Sequence, residues 1–311
     1  MSVPTTPKMS EIQTEFGGSN PIGLSEYYAG GPLVPSASPA PNGPIPGSGE
    51  ISMGEFRGAT KASFISASGG NATLTDGDYK IHVFTGSGTF TVNAAGVGGA
   101  DNTNVDYLVQ AGGGGGGNEY GGGGGAGGTR ASDQLYSGPG SAVSTGITVP
   151  AQGYPVTIGG GAGASNGAGS RGSNSSAFPI TSAGGGGGGN RNSGSATTGG
   201  SGGGGVMNHG GQSPSGAAGN TPSASPSQGN AGGNASNSTP ALGSGGGGSL
   251  AGTGNNGSSS VGGAGAHGAP WAIFGNAPGA PSYGTPGPSP GRYFGGGGGG
   301  GGEVFVSTSS G

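Results

Sequence analysis

The residue combinations that could do chemistry in this 311-residue chain are few. Gly199-Gly-Ser201-Gly-Gly spells the strained turn that presents a nucleophilic serine. That chemistry needs a histidine and an acid held beside a strand–turn–helix. No Asp or Glu lies between Gln134 and Gly302, and no helical periodicity surrounds Ser201. The three histidines, His82, His209 and His267, stand too far apart for a metal-ligand motif. His82 lies in an alternating stretch and reads as a strand residue. Lys8, Lys61 and Lys80 follow Pro, Thr and Tyr, so no phosphate-cradling Gly-Lys-Ser/Thr exists. With 88 glycines, G-x-G-x-x-G spellings arise by chance, and Asn-x-Ser/Thr sites carry as little weight in an Asn/Ser-rich chain. The expectation is a protein that is not an enzyme and that needs no cofactor or metal.

Binding chemistry is better represented. No aromatic residue occurs from Pro179 to Pro270. Then His267, Trp271, Phe274, Tyr283, Arg292, Tyr293 and Phe294 come close together, among prolines that stiffen the segment. Aromatic rings and Arg supply large rigid area and directional contacts, which is why they dominate binding hot spots. Two readings of this group stand open: a contact surface for a protein or glycan, or a small core that closes the end of the fold. Arg191 and His209 stand out in the same way within side-chain-poor segments at 190–193 and 206–209. The long 212–244 segment is a further candidate loop.

The elements that must position these residues are unusual. Pure glycine occupies 112–117, 121–125, 184–189, 202–205, 245–248 and 295–302. A glycine-plus-proline share this high, without the every-third-residue period of collagen, usually signals disorder. Ordering a residue costs about 1–2 kcal/mol, and glycine has the most freedom to lose. Flexible linkers, however, mix Ser evenly into Gly, whereas these runs are pure and bracketed by strand-like segments. The alternative to coil is a lattice of left-handed polyproline-II-like helices that satisfy one another's backbone groups. The expected fold class is therefore mainly β plus a polyglycine bundle, with almost no α-helix. Residues 61–111 form a small antiparallel module, with a hairpin of Tyr79–Phe84 and Thr89–Val92 and a third strand at 105–110. Residues 112–311 form the glycine lattice, with strands at 146–149, 154–158, 178–181 and 303–307 and long loops between helices.

Residues 1–60 differ again. Ile22, Leu24, Glu26 and Tyr27 are echoed by Ile51, Met53, Glu55 and Phe56, across a Pro/Gly/Ser tether. The echo reads as a repeated docking plug or as two short turns covering a neighbouring module. No cysteine is present, no apolar leader opens the chain and no apolar stretch reaches membrane-spanning length. The net charge of −4 argues against a nucleic-acid partner, and membrane insertion is not expected.

Val105-Asp-Tyr-Leu-Val-Gln-Ala followed by six glycines, then 121–128, then Tyr154-Pro-Val-Thr-Ile-Gly-Gly-Gly-Ala-Gly, resembles the glycine-rich domain of many bacteriophage tail proteins. The resemblance covers about 78–308. The openings at 10–28 and 47–56 are similar to those of phage virion proteins. In architecture the third zone resembles the adhesins at the tips of T-even-type long tail fibres, whose glycine helices carry receptor-contacting loops. The long N-terminal segment departs from that pattern. The resemblance implies a virion protein made in the host cytoplasm. Residues 1–60 would attach it to other tail or capsid proteins, and a homotrimer is among the assemblies it admits. It also implies a host surface protein or glycan as partner, contacted by loops around the His267–Phe294 group, Arg191 and His209. Two other readings remain: a purely structural fibre, spike or capsid decoration, and an ice-binding protein. The latter resembles regular Gly-x-x repeats with a flat face, which this sequence lacks.

Overall fold

A computed structural model describes residues 2–36, 38–41, 43–77, 79–132, 143–144, 146–163, 165–192, 194–206, 214–236, 241–271, 283–286 and 292–304. The chain divides into two compact units: Met1–Ser68 with Thr91–Val105 and Ile147–Gly153, and Gly69–Phe90 with Asp106–Gly146 and Tyr154–Gly311. The fold is mainly β. Among the described residues, α-helix is confined to Met9–Phe16 and Ala100–Thr103.

The first unit is held by side chains. Met9, Ile12 and Phe16 recur on one helical face, and Ile12 and Phe16 are fully buried. The helix opens with Glu11 Oε2 accepting the Lys8 N–H at 2.7 Å. It stops at Gly17, whose φ of 85° a residue with a Cβ rarely adopts. The internal echo is a structural repeat of that device. In the 3-10 turns Leu24–Glu26 and Met53–Phe56, Glu26 Oε1 accepts the Gly23 N–H at 2.8 Å, and Glu55 Oε2 accepts the Ser52 N–H at 2.7 Å. Each glutamate satisfies a donor that a helix start leaves open. The aromatic after it then drops into a common core, where Phe16 and Tyr27 meet Phe56 edge-on at 5.9 and 6.0 Å.

This corrects the docking-plug expectation for Tyr27 and Phe56, which are wholly buried in their own unit. Ile22, Leu24 and Ile51 pack half-buried against the same cluster, while Met53 is 42% exposed. Tyr27 donates to Gly17 O at 2.9 Å, and burial, then the neighbouring Glu26 charge, raises its phenol pKa above the ordinary 10.0.

The second unit begins with a hairpin, but not the expected one. Tyr79–Val83 pairs with Ala72–Asp76, in register from Asp76↔Tyr79 to Ala72↔Val83. The two-residue connection starting at Gly77, with φ 57°, is tighter than the Thr85–Gly88 loop, and the shorter turn wins. Gly88–Ala94 instead pairs with Ser66–Ser68, through its part in the first unit. The expected strand at 105–110 is two strands. Asn104–Val105 pairs with Ile147–Thr148 in the first unit, and Leu108–Gln110 with Thr129–Ser132 in the second. The expected strand at 178–181 is a hairpin of Ser175–Ala177 and Ile180–Ser182 turning at Phe178, which has φ 53°. His82 is indeed a strand residue, with Nδ1 2.8 Å from Gly69 O and its ring edge-on to Phe90 at 5.3 Å.

Apart from Gly302, which opens the strand Gly302–Val304, the glycine runs lie outside strands and helices and bond to one another. Ala111, Gly114 and Gly117 donate to Gly128, Gly125 and Gly122. Gly122, Gly125 and Gly128 donate in turn to Gly189, Gly186 and Ala183. Gly123 and Ala126 donate to Gly245 and Gly248, while Ser201 and Gly204 donate to Ala126 and Gly123. Gly298 and Gly301 donate to Gly124 and Gly121. Every register advances by three residues. None of these glycines has a positive φ. A Cβ added at Gly114, Gly124, Gly185, Gly188 or Gly204 would lie closer than 3.0 Å to a neighbouring run's backbone, so only glycine permits the approach. The segment 214–236, expected as a loop, is drawn into the same network through Ala217, Asn220, Asn230 and Gly232.

Candidate functional site

The registers give the runs two ends. Residues 111–117 leave the strand Leu108–Gln110 and reach the turn 118–120, and 121–128 return to Thr129–Ser132. Residues 183–189 lie parallel to 112–115 through Gly185 to Gly112 and Gly188 to Gly115, and reach the turn 190–194. Thus the strands gather at one end of the runs and short polar turns at the other.

The predicted contact residues are split between these ends. Trp271 is at the strand end and wholly buried, in a cluster with Ala131, Leu250 and Ala269 against which Leu108 and Phe294 pack. Its strand, Ala269–Trp271, pairs with Arg292–Phe294, which also pairs with Thr285–Pro286. Arg292 Nε donates to Tyr283 O at 2.8 Å and Nη2 to Gly284 O at 2.6 Å. Its guanidinium thus ties a turn to its own sheet. Tyr283, Tyr293 and Phe294 are half-buried and His267 is exposed. Of the two readings of this group, the closing core describes Trp271, Arg292 and Phe294. Trp271 as a surface contact is therefore corrected. Phe274 and His209 lie outside the described residues.

Arg191 is at the turn end, where a second group forms that the sequence reading missed. Its guanidinium carbon stands 5.8 Å from the centroid of the Tyr120 ring, which is 40% exposed. Asn190 is 2% exposed and organises the cluster, donating from Nδ2 to Asn118 O at 2.8 Å and accepting the Asn192 N–H on Oδ1 at 2.8 Å. Asn192 Nδ2 donates to Glu119 Oε2, and Ser244 Oγ donates to Tyr120 O. Glu119 and Tyr120 hold φ of 49° and 57° in succession, a conformation uncommon without glycine and often found where a side chain must be presented. The available signal was that three residues between two pure runs must form the reversal, so Tyr120 has to stand at a tip. Val261, at the nearby 258–261 turn, is 61% exposed.

The cluster offers a ring face, a cation, amide groups and a carboxylate in one exposed patch, and it suits recognition more than reaction. Ser201, in the nucleophile-like spelling, is fully buried. Among the described residues no group of three or more His, Asp or Glu could hold a metal ion, and no helix is long and apolar enough to cross a membrane.

The model of a family described as a glycine-rich domain matches residues 84–311. No curated protein matches the chain, and no solved structure does so either.

Proposed function

Since the chain belongs to the glycine-rich domain family, we propose that it is a bacteriophage virion protein, a tail-fibre or adhesin component that contacts a host surface protein or glycan. In this reading the glycine runs are left-handed helices of the polyproline-II type, packed side by side. The three-residue step of every inter-run register supports this, because such a helix has three residues per turn. The scaffold presents almost only backbone, so recognition falls to its turns. The observation that carries the reading is the Glu119, Tyr120, Arg191 and Asn192 cluster, held on a buried asparagine at the turn end. The first unit, with its own side-chain core, serves as the attachment module to other virion proteins, and Met53 is an exposed apolar group available for that contact.

The test exchanges 118–120 and 190–194 for the corresponding turns of a related phage. A changed host range supports the adhesin; an unchanged one leaves a purely structural virion part. The burial of Trp271 favours that second reading more than the sequence did, since it removes the largest ring from the contact set.

A further inference from the structure

The parts of the turn-end cluster hold one another in place. Asn190, buried between the two turns, donates to Asn118 O and accepts the Asn192 N–H, both at 2.8 Å. Asn118 Oδ1 accepts the Glu119 N–H at 2.8 Å, and the Asn118 N–H donates to Gly167 O at 3.0 Å. Ser244 Oγ donates to the carbonyl of Tyr120. The left-handed backbone of Glu119 and Tyr120 is thus fixed by contacts on both sides of it. A site organised in advance loses less freedom when it binds.

What the cluster leaves unused carries the information. Glu119 spends Oε2 on Asn192 Nδ2, and its Oε1 has no partner among the described residues. The same holds for Asn192 Oδ1, Asn118 Nδ2 and the Tyr120 hydroxyl. All four residues are exposed. Acceptors and donors therefore stand side by side around an aromatic ring that is itself 40% exposed. One cation, Arg191 over the ring, and one carboxylate, Glu119, balance the formal charge of the cluster.

This set of groups selects among ligand classes. An ionic ligand of either sign meets its own charge at Glu119 or at Arg191. An apolar ligand strips water from the carboxylate and the amides and gives nothing back. A hydroxyl both donates and accepts, so neighbouring hydroxyls satisfy the carboxylate oxygen and the amides together. A pyranose ring carries such hydroxyls on its edge and C–H groups on its face. Those C–H groups are partially positive and lie well on the negative face of an aromatic ring. Size points the same way: the turns 118–120 and 190–194 are short, whereas a stable protein interface engages about 20–30 residues on each side.

We propose that the turn-end cluster is a binding site for one neutral hexose unit of a saccharide. The sugar stacks on the exposed part of the Tyr120 ring. Its neighbouring hydroxyls donate to Glu119 Oε1 and Asn192 Oδ1 and accept from Asn118 Nδ2. Arg191 braces the ring from its place over it. Asn190 is a positioning residue, which touches no sugar and sets the spacing of the two turns. The inference names the ligand class of the host-contact reading and rests on that reading for the source of the sugar, a glycan of the host surface.

The experiment titrates the full chain with the methyl glycosides of glucose, galactose and mannose while following amide NMR signals. Sorbitol, an open-chain polyol with no ring face, is the control. The expected result is saturable shifts at 118–120 and 190–192 with at least one glycoside, at a dissociation constant below about 10 mM, and none with sorbitol. Tyr120→Ala and Glu119→Gln should each weaken binding about tenfold or more at an unchanged melting temperature. Tyr120→Phe, which keeps the ring, should stay within about threefold. No saturable shift with any glycoside up to about 50 mM, equal shifts with sorbitol, or full binding by both weakened variants overturns the sugar site. If Tyr120→Ala does not fold, Glu119→Gln and Tyr120→Phe decide. A host range that changes on exchange of the turns, with no glycoside bound, overturns the sugar site alone and leaves a host protein as the partner. Glycoside binding with an unchanged host range removes the host-contact reading and leaves the sugar site standing.

Discussion

Two kinds of interior exist in one chain. In the first unit Phe16, Tyr27 and Phe56 meet edge-on and bury their rings completely. Burial of apolar area holds that core, at about 25 cal/mol per Å². Among the described residues of 112–302 the buried ones are mostly glycines, and what is removed from water is backbone whose polar groups are largely paired between runs. A side-chain core tolerates a change of shape if volume is kept. At Gly114, Gly124, Gly185, Gly188 and Gly204 a backbone core has no such latitude, since a single methyl group collides with a carbonyl.

Substitutions can break this contrast. The largest effect expected is from Phe56→Ala, at about 3–5 kcal/mol of stability, read from denaturant unfolding; Phe56→Leu should cost much less. Close behind is Gly188→Ala, whose Cβ would lie closer than 3.0 Å to Gly122. Overpacking against rigid backbone should cost about 3 kcal/mol, although the added group is one methyl. A Cβ at Gly116 comes no closer than 3.7 Å to Gly122 O, so equal stability of Gly188→Ala and Gly116→Ala would contradict the backbone core.

Smaller effects sharpen the picture. Glu55→Ala should lose about 0.5–2 kcal/mol, because the Ser52 N–H loses its acceptor. Arg191→Ala should leave the melting temperature within error while weakening attachment to host cells, measured by adsorption of the purified protein. A side effect on Tyr27 is also expected. Its pKa is raised in the folded state, so its contribution is complete below pH 10 and is lost as pH rises beyond that value toward the folded pKa. Replacing it by Phe should flatten the alkaline end of the stability profile.

Much of this was legible in the sequence. Strands lead into runs as the alternation of Leu108–Gln110 and the glycines after it suggests, and the poverty of helix followed from composition. The role of Trp271 was not legible, because a ring that seals an end and a ring that contacts a partner have the same flanking residues. The hairpin turns at Gly77 and not at Thr85–Gly88, because the connection after Asp76 is the tighter one. Tyr120 carries little signal in the sequence because a three-residue reversal has no composition of its own, although its backbone takes the left-handed conformation. The pattern of donors used in 121–128 could not be read at all. It depends on which runs are neighbours, and identical glycines carry no record of that.

The measurement that tests the backbone core most directly is residue-resolved amide exchange across the runs. The account predicts slow exchange throughout 184–189 and 202–205, and within 121–128 a three-residue rhythm in which Gly121, Gly124 and Gly127 exchange faster than the residues between them. Fast exchange at every glycine of these runs would contradict it.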